Sequence, residues 1–393
     1  MVTTFLSSVE KPDDRDRVLY LREPGTGSIH QREIPIRFLG AGSRFQILAR
    51  KDSLPGWAET LQTTPAVVWR ARDREYTGRA VAIDGADTGE VLRHFEAEFG
   101  ADRVRDWFGP SVQAFELRPL SSGRAGYREI VESYFDAIAS SYESSVTSNP
   151  FDADLRQTSL DVLLRTFRPG DRILEIGAGP GLETLVLASR GIEVVATDIS
   201  AQMIRRLKAE IELEGLRELV TARKLAAGEI TQLLDEFGPN SFDGAFSSYG
   251  ALNCEEDLAS FPPALAALLR PNSSVVFAIW NRVCLAEFVL SFLARNPRRA
   301  FARQRDPVPQ GLSRYGIPVY AYSFQSFVRP FLPHFQVEHV VGVPVFVPPY
   351  DYHRMFSRRP ESVRILRRLD RAFANRFPFS RFGDHFLVEM RRR

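Results

Sequence analysis

Between Arg17 and Leu120, apolar residues recur at alternate positions in short runs: RVLYLRE, REIPIRFLG, RFQILAR, AVVWRAR, REYTGRAVAID and VQAFELRPL. Gly, Pro and Asp divide the runs, a pattern that predicts strands. Two segments break the period. LPGWAETLQ and GADTGEVLRHFEAEFG are helical, the second with Val91, Leu92, Phe95 and Phe99 at helical spacing. Antiparallel strands with one or two inserted helices predict a small barrel.

The segment SSGRAG, Ser121 to Gly126, has linker composition. Beyond it strands alternate with helices: RILEIGAG, GLETLVLASRG, VVATDIS, AQMIRRLKAEIE, FDGAFSSYG, FPPALAALL and SVVFAIWN. That alternation predicts a parallel sheet with crossover helices. The expected domains are therefore 1–122 and 123–393. The last two strands, VEHVVGVPVFV and DHFLVEM, are expected to pair antiparallel at one edge of a mixed seven-stranded sheet.

Composition adds exclusions. The chain of 393 residues is 44% hydrophobic and 25% charged, ordinary for a globular protein of two or three domains. Its net charge of +2 points to no polyanionic partner, nucleic acid included. All but four of the 51 basic residues are arginine, which we read as the codon bias of a G+C-rich bacterial genome. Cys254 and Cys284 stand in no metal-binding spacing, so no metal site is expected, and reduced thiols suit a cytoplasmic location. No run approaches the roughly 20 apolar residues of a membrane span.

The candidate chemistry starts at Glu175-Ile-Gly-Ala-Gly-Pro-Gly181, at the end of a strand and the start of a helix. Glycines there permit a tight turn and close backbone approach to a ligand. The spacing is GxGxG, and Glu175 two positions before the first glycine would repel a pyrophosphate and favour a cation. The next strand ends in Asp198, where an acid can hold two ribose hydroxyls. S-adenosylmethionine, with a sulfonium, an amino group and a ribose but no phosphate, fits these features.

From roughly Tyr127 to Arg393 the chain resembles the class I S-adenosylmethionine-dependent methyltransferases. The resemblance is carried by LEIGAGPG, VVATDISAQMI, AAGEI, SFDGAFSSYGALNC and LLRPNSSVVFAIWN, preceded by the helix YFDAIASSYESS and followed by GDHFLVEMRR. It implies a doubly wound, Rossmann-like sheet. It implies Glu175, Gly177, Gly179 and Gly181 around the methionine end of the cofactor, Asp198 on the ribose and Ile199 on the adenine. Gly228 and Glu229 would border the adenine edge, Ser247 and Ser248 the methionine part, and Tyr142 would close over it. The fourth strand ends in Ser-Ser-Tyr-Gly and lacks the Asn/Asp-Pro-Pro-Tyr of enzymes that methylate amino nitrogens of bases.

Methyl transfer from a sulfonium requires alignment and dryness, with a base only where the nucleophile must lose a proton. Tyr249 and His353 are the candidates for positioning or deprotonation; the alternatives are a cofactor lid and a surface histidine. The region 283–350 is expected to cap the acceptor. Its helix CLAEFVLSFLA and aromatic run VPVYAYSFQSFVRPFLPHF suggest a small, largely apolar acceptor such as a lipid, quinone, polyketide or aromatic metabolite, or else form the core of the cap. Residues 352–393 carry twelve arginines against four acids. Arg364, Arg367, Arg368 and Arg371 lie opposite Ile365, Leu366, Leu369 and Phe373, a face that suits either solvent or an anionic membrane surface.

From Arg17 to Leu120 the chain is similar to the deazaflavin-dependent nitroreductases, a split β-barrel family. The carrying residues are Arg32-Glu-Ile-Pro35, RFQILARK, Gly56-Trp-Ala-Glu-Thr-Leu61, Thr64-Pro-Ala-Val-Val-Trp69 and Tyr76-Thr-Gly-Arg-Ala80. The similarity implies Arg50, Lys51 and Trp57 along the phosphate or ring of a deazaflavin coenzyme, with Arg32 nearby. Flavin mononucleotide is the alternative cofactor. A barrel serving homodimerisation without a cofactor is another reading, and a non-catalytic assembly protein or a bifunctional oxidoreductase–methyltransferase are the competing functions.

Overall fold

The computed structural model describes residues 17–22, 33–41, 44–52, 54–63, 66–71, 74–119, 124–308, 313, 315–356 and 358–393. The chain forms two compact units, 1–137 and 138–393.

In the first unit all six predicted strands form: β1 (Val18–Arg22), β2 (Glu33–Ala41), β3 (Arg44–Arg50), β4 (Ala66–Ala71), β5 (Arg74–Ile83) and β6 (Val112–Pro119). They close an antiparallel barrel in the order β1-β2-β3-β6-β5-β4. Alternate residues fill it: Leu19 and Leu21, Ile36 and Phe38, Phe45 and Ile47, Val67 and Trp69, Phe115 and Leu117. Trp69 stacks on Tyr76 at 5.5 Å between ring centroids. Gly78 makes room for that indole, since a Cβ there would lie 2.7 Å from the ring and 2.2 Å from the Arg118 carbonyl oxygen.

Three helices accompany the barrel: α1 (Gly56–Thr63), α2 (Ala86–Phe99) and α3 (Ala101–Phe108). Ala58 and Leu61 of α1 join the barrel core. Val91, Phe95 and Phe99 of α2 and Val104 of α3 pack with Leu48, Val112 and Ala114, which point outward from β3 and β6. These two strands are therefore covered on both faces, which is why VQAFEL is buried without a break.

Of the linker-like segment, Ser121–Gly123 lies outside the described residues, and Arg124 already opens a long helix, α4 (Arg124–Thr147). The boundary between the units falls within it. Next comes α5 (Pro150–Thr166), started by the Asn149 side chain, which accepts from the Phe151 amide at 2.9 Å.

The second unit is built on seven strands: β7 (Arg172–Ile176), β8 (Glu193–Asp198), β9 (Val220–Lys224), β10 (Phe242–Ser247), β11 (Leu269–Trp280), β12 (Phe335–Val343) and β13 (His385–Arg392). Their order is β12-β13-β11-β10-β7-β8-β9. The five strands β7 to β11 run parallel, and β13 is antiparallel to both β11 and β12, as expected of the last two strands. Successive residues feed opposite faces. Ile173, Val194, Ala196 and Phe246 meet α5, α6 (Leu182–Ala188) and α7 (Ala201–Leu213). Leu174, Ile176, Val195 and Phe277 belong to the core of the other face.

That second face takes up part of the aromatic run. Phe324, Phe327, Phe331 and Phe335, from the aromatic run, are buried against Phe261, Phe277 and Phe386. They are part of the sheet core. Among the described residues no helix is long and apolar enough to cross a membrane.

Candidate functional site

The carboxyl end of β7 lies beside the switch point where the strand order reverses between β7 and β10, the usual ligand position in such a sheet. There the chain turns through Gly177, Gly179 and Gly181, all at positive φ (73°, 56° and 93°). Two of them also need space. A Cβ on Gly177 would sit 2.2 Å from the Ala251 Cβ, and one on Gly181 would sit 2.3 Å from Leu207 Cδ1. At Gly179 the nearest atom to such a Cβ is a Tyr142 ring carbon at 3.7 Å, so Tyr142 lies against the loop.

Hydrogen bonds fix the loop to β8. The Gly177 and Ala178 amides donate to the Thr197 carbonyl at 2.8 and 2.9 Å, and the Thr197 hydroxyl donates to the Glu175 carbonyl at 2.8 Å. Asp198 completes the tie. Its Oδ2 accepts from the Gly179 amide at 2.9 Å and its Oδ1 from the Ser200 amide at 2.8 Å. Ser200 in turn caps α7, its hydroxyl accepting from the Met203 amide at 3.1 Å.

Glu175 is fully buried under this loop and accepts a hydrogen bond from the Thr184 hydroxyl. Burial pushes its carboxyl up to about 8; the Thr184 bond opposes that shift, and Glu183 and Asp198 add to it. A buried carboxyl of this kind gains most from a positive charge placed beside it.

The segment after β9 forms a 3-10 turn, Ala227–Gln232, which holds Gly228 and the half-buried Glu229. Leu225 donates to the Asp198 carbonyl at 2.9 Å, and Gly228 donates to Glu255 Oε2 at 2.9 Å. Glu255 is a buried anchor that no motif marked. Ile199 is half-buried at the start of this edge. Ser247, at the end of β10, donates to the Ile176 carbonyl at 2.8 Å, and Ser248 beside it is buried.

Tyr249 follows in the left-handed region at φ 55°. Its hydroxyl donates to the Asp152 carbonyl at 2.8 Å, and its carbonyl accepts from the Tyr315 hydroxyl at 2.7 Å. These two bonds hold the phenol in place. His353 opens a short helix, His353–Phe356, but its side chain lies outside the described residues.

In the first unit, the Arg50 guanidinium donates to the carbonyls of Asp106 (3.0 Å) and Trp107 (3.2 Å), the free acceptors in the last turn of α3. Lys51 is exposed just after β3, and Trp57 packs on the barrel core near Phe115. Arg32 lies outside the described residues.

A buried ionic cluster at the same end of the sheet as the glycine loop went unmarked by any motif. Between β11 and β12 the chain forms α8 (Leu285–Leu293), then residues 297–304. Glu287 of α8 accepts from Arg299 at 3.1 Å and Arg303 at 2.5 Å, and Arg303 also reaches Asp384 Oδ1 at 2.5 Å. His385 Nδ1 is 3.0 Å from Asp384 Oδ2, while its Nε2 is buried without a hydrogen-bond partner. Burial alone would raise the Asp384 carboxyl, but Arg303 and His385 override it and hold it well below the carboxylate range. The only sequence hint is one Glu inside the apolar run CLAEFVLSFLA. Burial pushes the thiols of Cys254 and Cys284 up to about 12, which leaves both protonated and unreactive.

Residues 174–277, which carry the loop, Asp198, Gly228 and Ser247, match the family model described as a methyltransferase domain. The chain is 32% identical over 160 residues to the demethylmenaquinone methyltransferase of Beutenbergia cavernae, covering 40% of this chain and 61% of that one. It is 34% identical over 137 residues to the ubiquinone biosynthesis O-methyltransferase of Alkalilimnicola ehrlichii, covering 32% and 51%. The chain thus spans about half to three-fifths of the length of these relatives. Among solved structures it is similar to an S-adenosylmethionine-dependent methyltransferase from Mesorhizobium loti, with TM-score 0.41, 19% identity and coverage of 62% of this chain and 100% of that one.

Proposed function

We propose that the second unit, within a methyltransferase segment at residues 174–277, transfers the methyl group of S-adenosylmethionine to a small, largely apolar metabolite. The observation that carries this reading is the convergence of the Gly177–Gly181 loop, buried Glu175 and Asp198 at the sheet's switch point. The residues fit the cofactor. Glu175 and the glycine loop would take its cationic methionine end, Asp198 the ribose, and Ile199 with Gly228 and Glu229 the adenine. Ser247, Ser248 and Tyr142 would border and cover the methionine part.

When bound, the sulfonium supplies an already activated methyl group. The chain's own task is alignment and exclusion of water. Tyr142 against Gly179 shields the loop, and Tyr249, fixed by Asp152 and Tyr315, is the proposed group for positioning or deprotonating the acceptor. His353 is the second residue proposed for positioning or deprotonation. The quinone-type substrates in the names of the two relatives support an apolar acceptor, and its identity is part of the proposal.

Calorimetric titration of the full chain with S-adenosylmethionine tests the reading. Binding in the wild type that is lost in Asp198→Ala is the expected result; a folded wild type that binds nothing refutes it.

For the barrel we propose a separate flavin-type or deazaflavin site of split-barrel kind on Lys51 and Trp57, with Arg50 left as the tie to α3. Titration with flavin mononucleotide and with the deazaflavin coenzyme, followed by fluorescence, tests it. Quenching abolished by Lys51→Ala with Trp57→Ala supports a redox role for the barrel. No binding of either cofactor makes the barrel a scaffold.

A further inference from the structure

Helix α8 is turned inside out. Ala286, Glu287 and Ser291 face the protein interior, while Phe288, Val289, Phe292 and Leu293 face water. Phe292 and Leu293 are 74% and 72% exposed. Positions 288, 289, 292 and 293 form one stripe at helical spacing, and Phe301 extends it, its ring 6.0 Å from that of Phe288.

The orientation is enforced from inside. Glu287 is bound by Arg299 and Arg303, the Ser291 hydroxyl is 3.3 Å from the Tyr352 hydroxyl, and the Arg299 guanidinium stands 5.2 Å above the Tyr352 ring. Rolling the stripe inward would strip these buried charges of their partners, at far greater cost than the exposed rings impose. A contiguous apolar face held outward by its own polar underside marks a docking surface.

Charge selects the partner. From Leu285 to Arg305 the sole acid is Glu287, and it is buried; Asp306, the next acid along the chain, is paired with Arg282 at 3.1 Å. Arg295 and Arg305, close in sequence to Leu293 and Phe301, are exposed. Tyr352, which contacts α8, leads into α9 (His353–Phe356), with Met355 exposed, and α10 (Pro360–Phe373), with Ile365 exposed between Arg364 and Arg368. Over Leu285–Arg305 a second copy of the chain would offer these arginines no exposed carboxylate. An anionic lipid surface meets both halves of the pattern, apolar side chains entering the acyl boundary and guanidinium groups resting among the headgroups.

We propose that the α8 stripe with Phe301 seats this protein on an anionic lipid bilayer surface. Docking of this kind does not depend on methyl transfer.

The test is co-sedimentation of the full chain with vesicles of equal parts phosphatidylcholine and phosphatidylglycerol, and with phosphatidylcholine alone. The wild type should bind the anionic vesicles. Phe292→Ser with Leu293→Ser should lower the bound fraction about ten-fold or more, because two large apolar side chains leave the acyl boundary. Arg295→Glu with Arg305→Glu, which spares the stripe, should weaken binding to anionic vesicles alone. Both variants change exposed positions, and an unaltered melting temperature confirms their folding. Wild-type protein that stays in solution overturns the proposal, as does a serine variant that binds equally well. A wild-type dimer that binds no vesicles and that the serine variant dissociates would assign the stripe to a second copy and overturn it too.

Discussion

The Asp198 carboxylate and the Gly179 amide, 2.9 Å apart, tie the end of β8 to the turn after β7. Because Asp198 also holds Ser200, which caps α7, one side chain fixes both the loop and the helix that flank the proposed ribose position. Asp198→Asn replaces one acceptor oxygen by a donor facing either Gly179 or Ser200. Affinity for S-adenosylmethionine should fall by about 1.5–3 kcal/mol per charge-assisted bond lost. Calorimetry checks this, and unchanged affinity would remove Asp198 from the site.

Glu175 has its ordinary pKa of 4.5 when unfolded and about 8 when folded. Between these values the folded state holds a proton that the unfolded chain has released, so stability must fall as pH rises through that window. Glu175→Gln abolishes the dependence. Its stability relative to the parent should grow between about pH 5 and about pH 8, by on the order of a few kcal/mol. Urea denaturation across that range reads the difference, and parallel profiles would contradict it.

Gly177 and Gly179 separate two costs of the same substitution. Gly179→Ala meets only the left-handed backbone, so a loss of about 1 kcal/mol is expected. Gly177→Ala meets that backbone and the Ala251 methyl, and should lose about 2 kcal/mol more. Ala251→Gly should recover the second part and not the first. Thermal unfolding of the single and double variants tests the partition, and no recovery would mean that the Ala251 contact is not the cause.

Arg303→Met leaves Glu287 and Asp384 buried without their shared cation. A loss of about 3–5 kcal/mol is expected. Since Asp384 is held below its ordinary range, its share of stability is present above about pH 4 and vanishes as pH falls through the lowered folded value. A loss under about 1 kcal/mol in urea denaturation would show that the cluster behaves as an exposed ion pair.

The barrel strands and the parallel sheet were legible because period-two alternation and βα alternation each report burial directly. The glycine loop and Asp198 were legible because a left-handed turn and a strand-end acid leave local marks. β9 was not singled out, since VTARK is too short and polar to stand out beside its flanks. Helix α3 was missed because ADRVRDWF buries only Val104. The aromatic run could not be assigned between core and pocket, since Phe327 and Phe331 would read identically in either. The cluster of Glu287, Arg303 and Asp384 is invisible to any local pattern, because its members lie 16 and 81 positions apart.

β13 lies between β11 and β12, although it follows both in sequence. During synthesis, β11 and β12 therefore emerge from the ribosome without the strand that joins them, and β12 has no other partner in the sheet. Until residues 385–392 are translated, both strands keep an open edge where a nascent chain is prone to pair with a neighbour. The methyltransferase segment, 174–277, is by then already made, so its folding has to wait for or tolerate a late central insertion. A premature stop before His385 would therefore do more than trim an end: it would split the sheet beside β11.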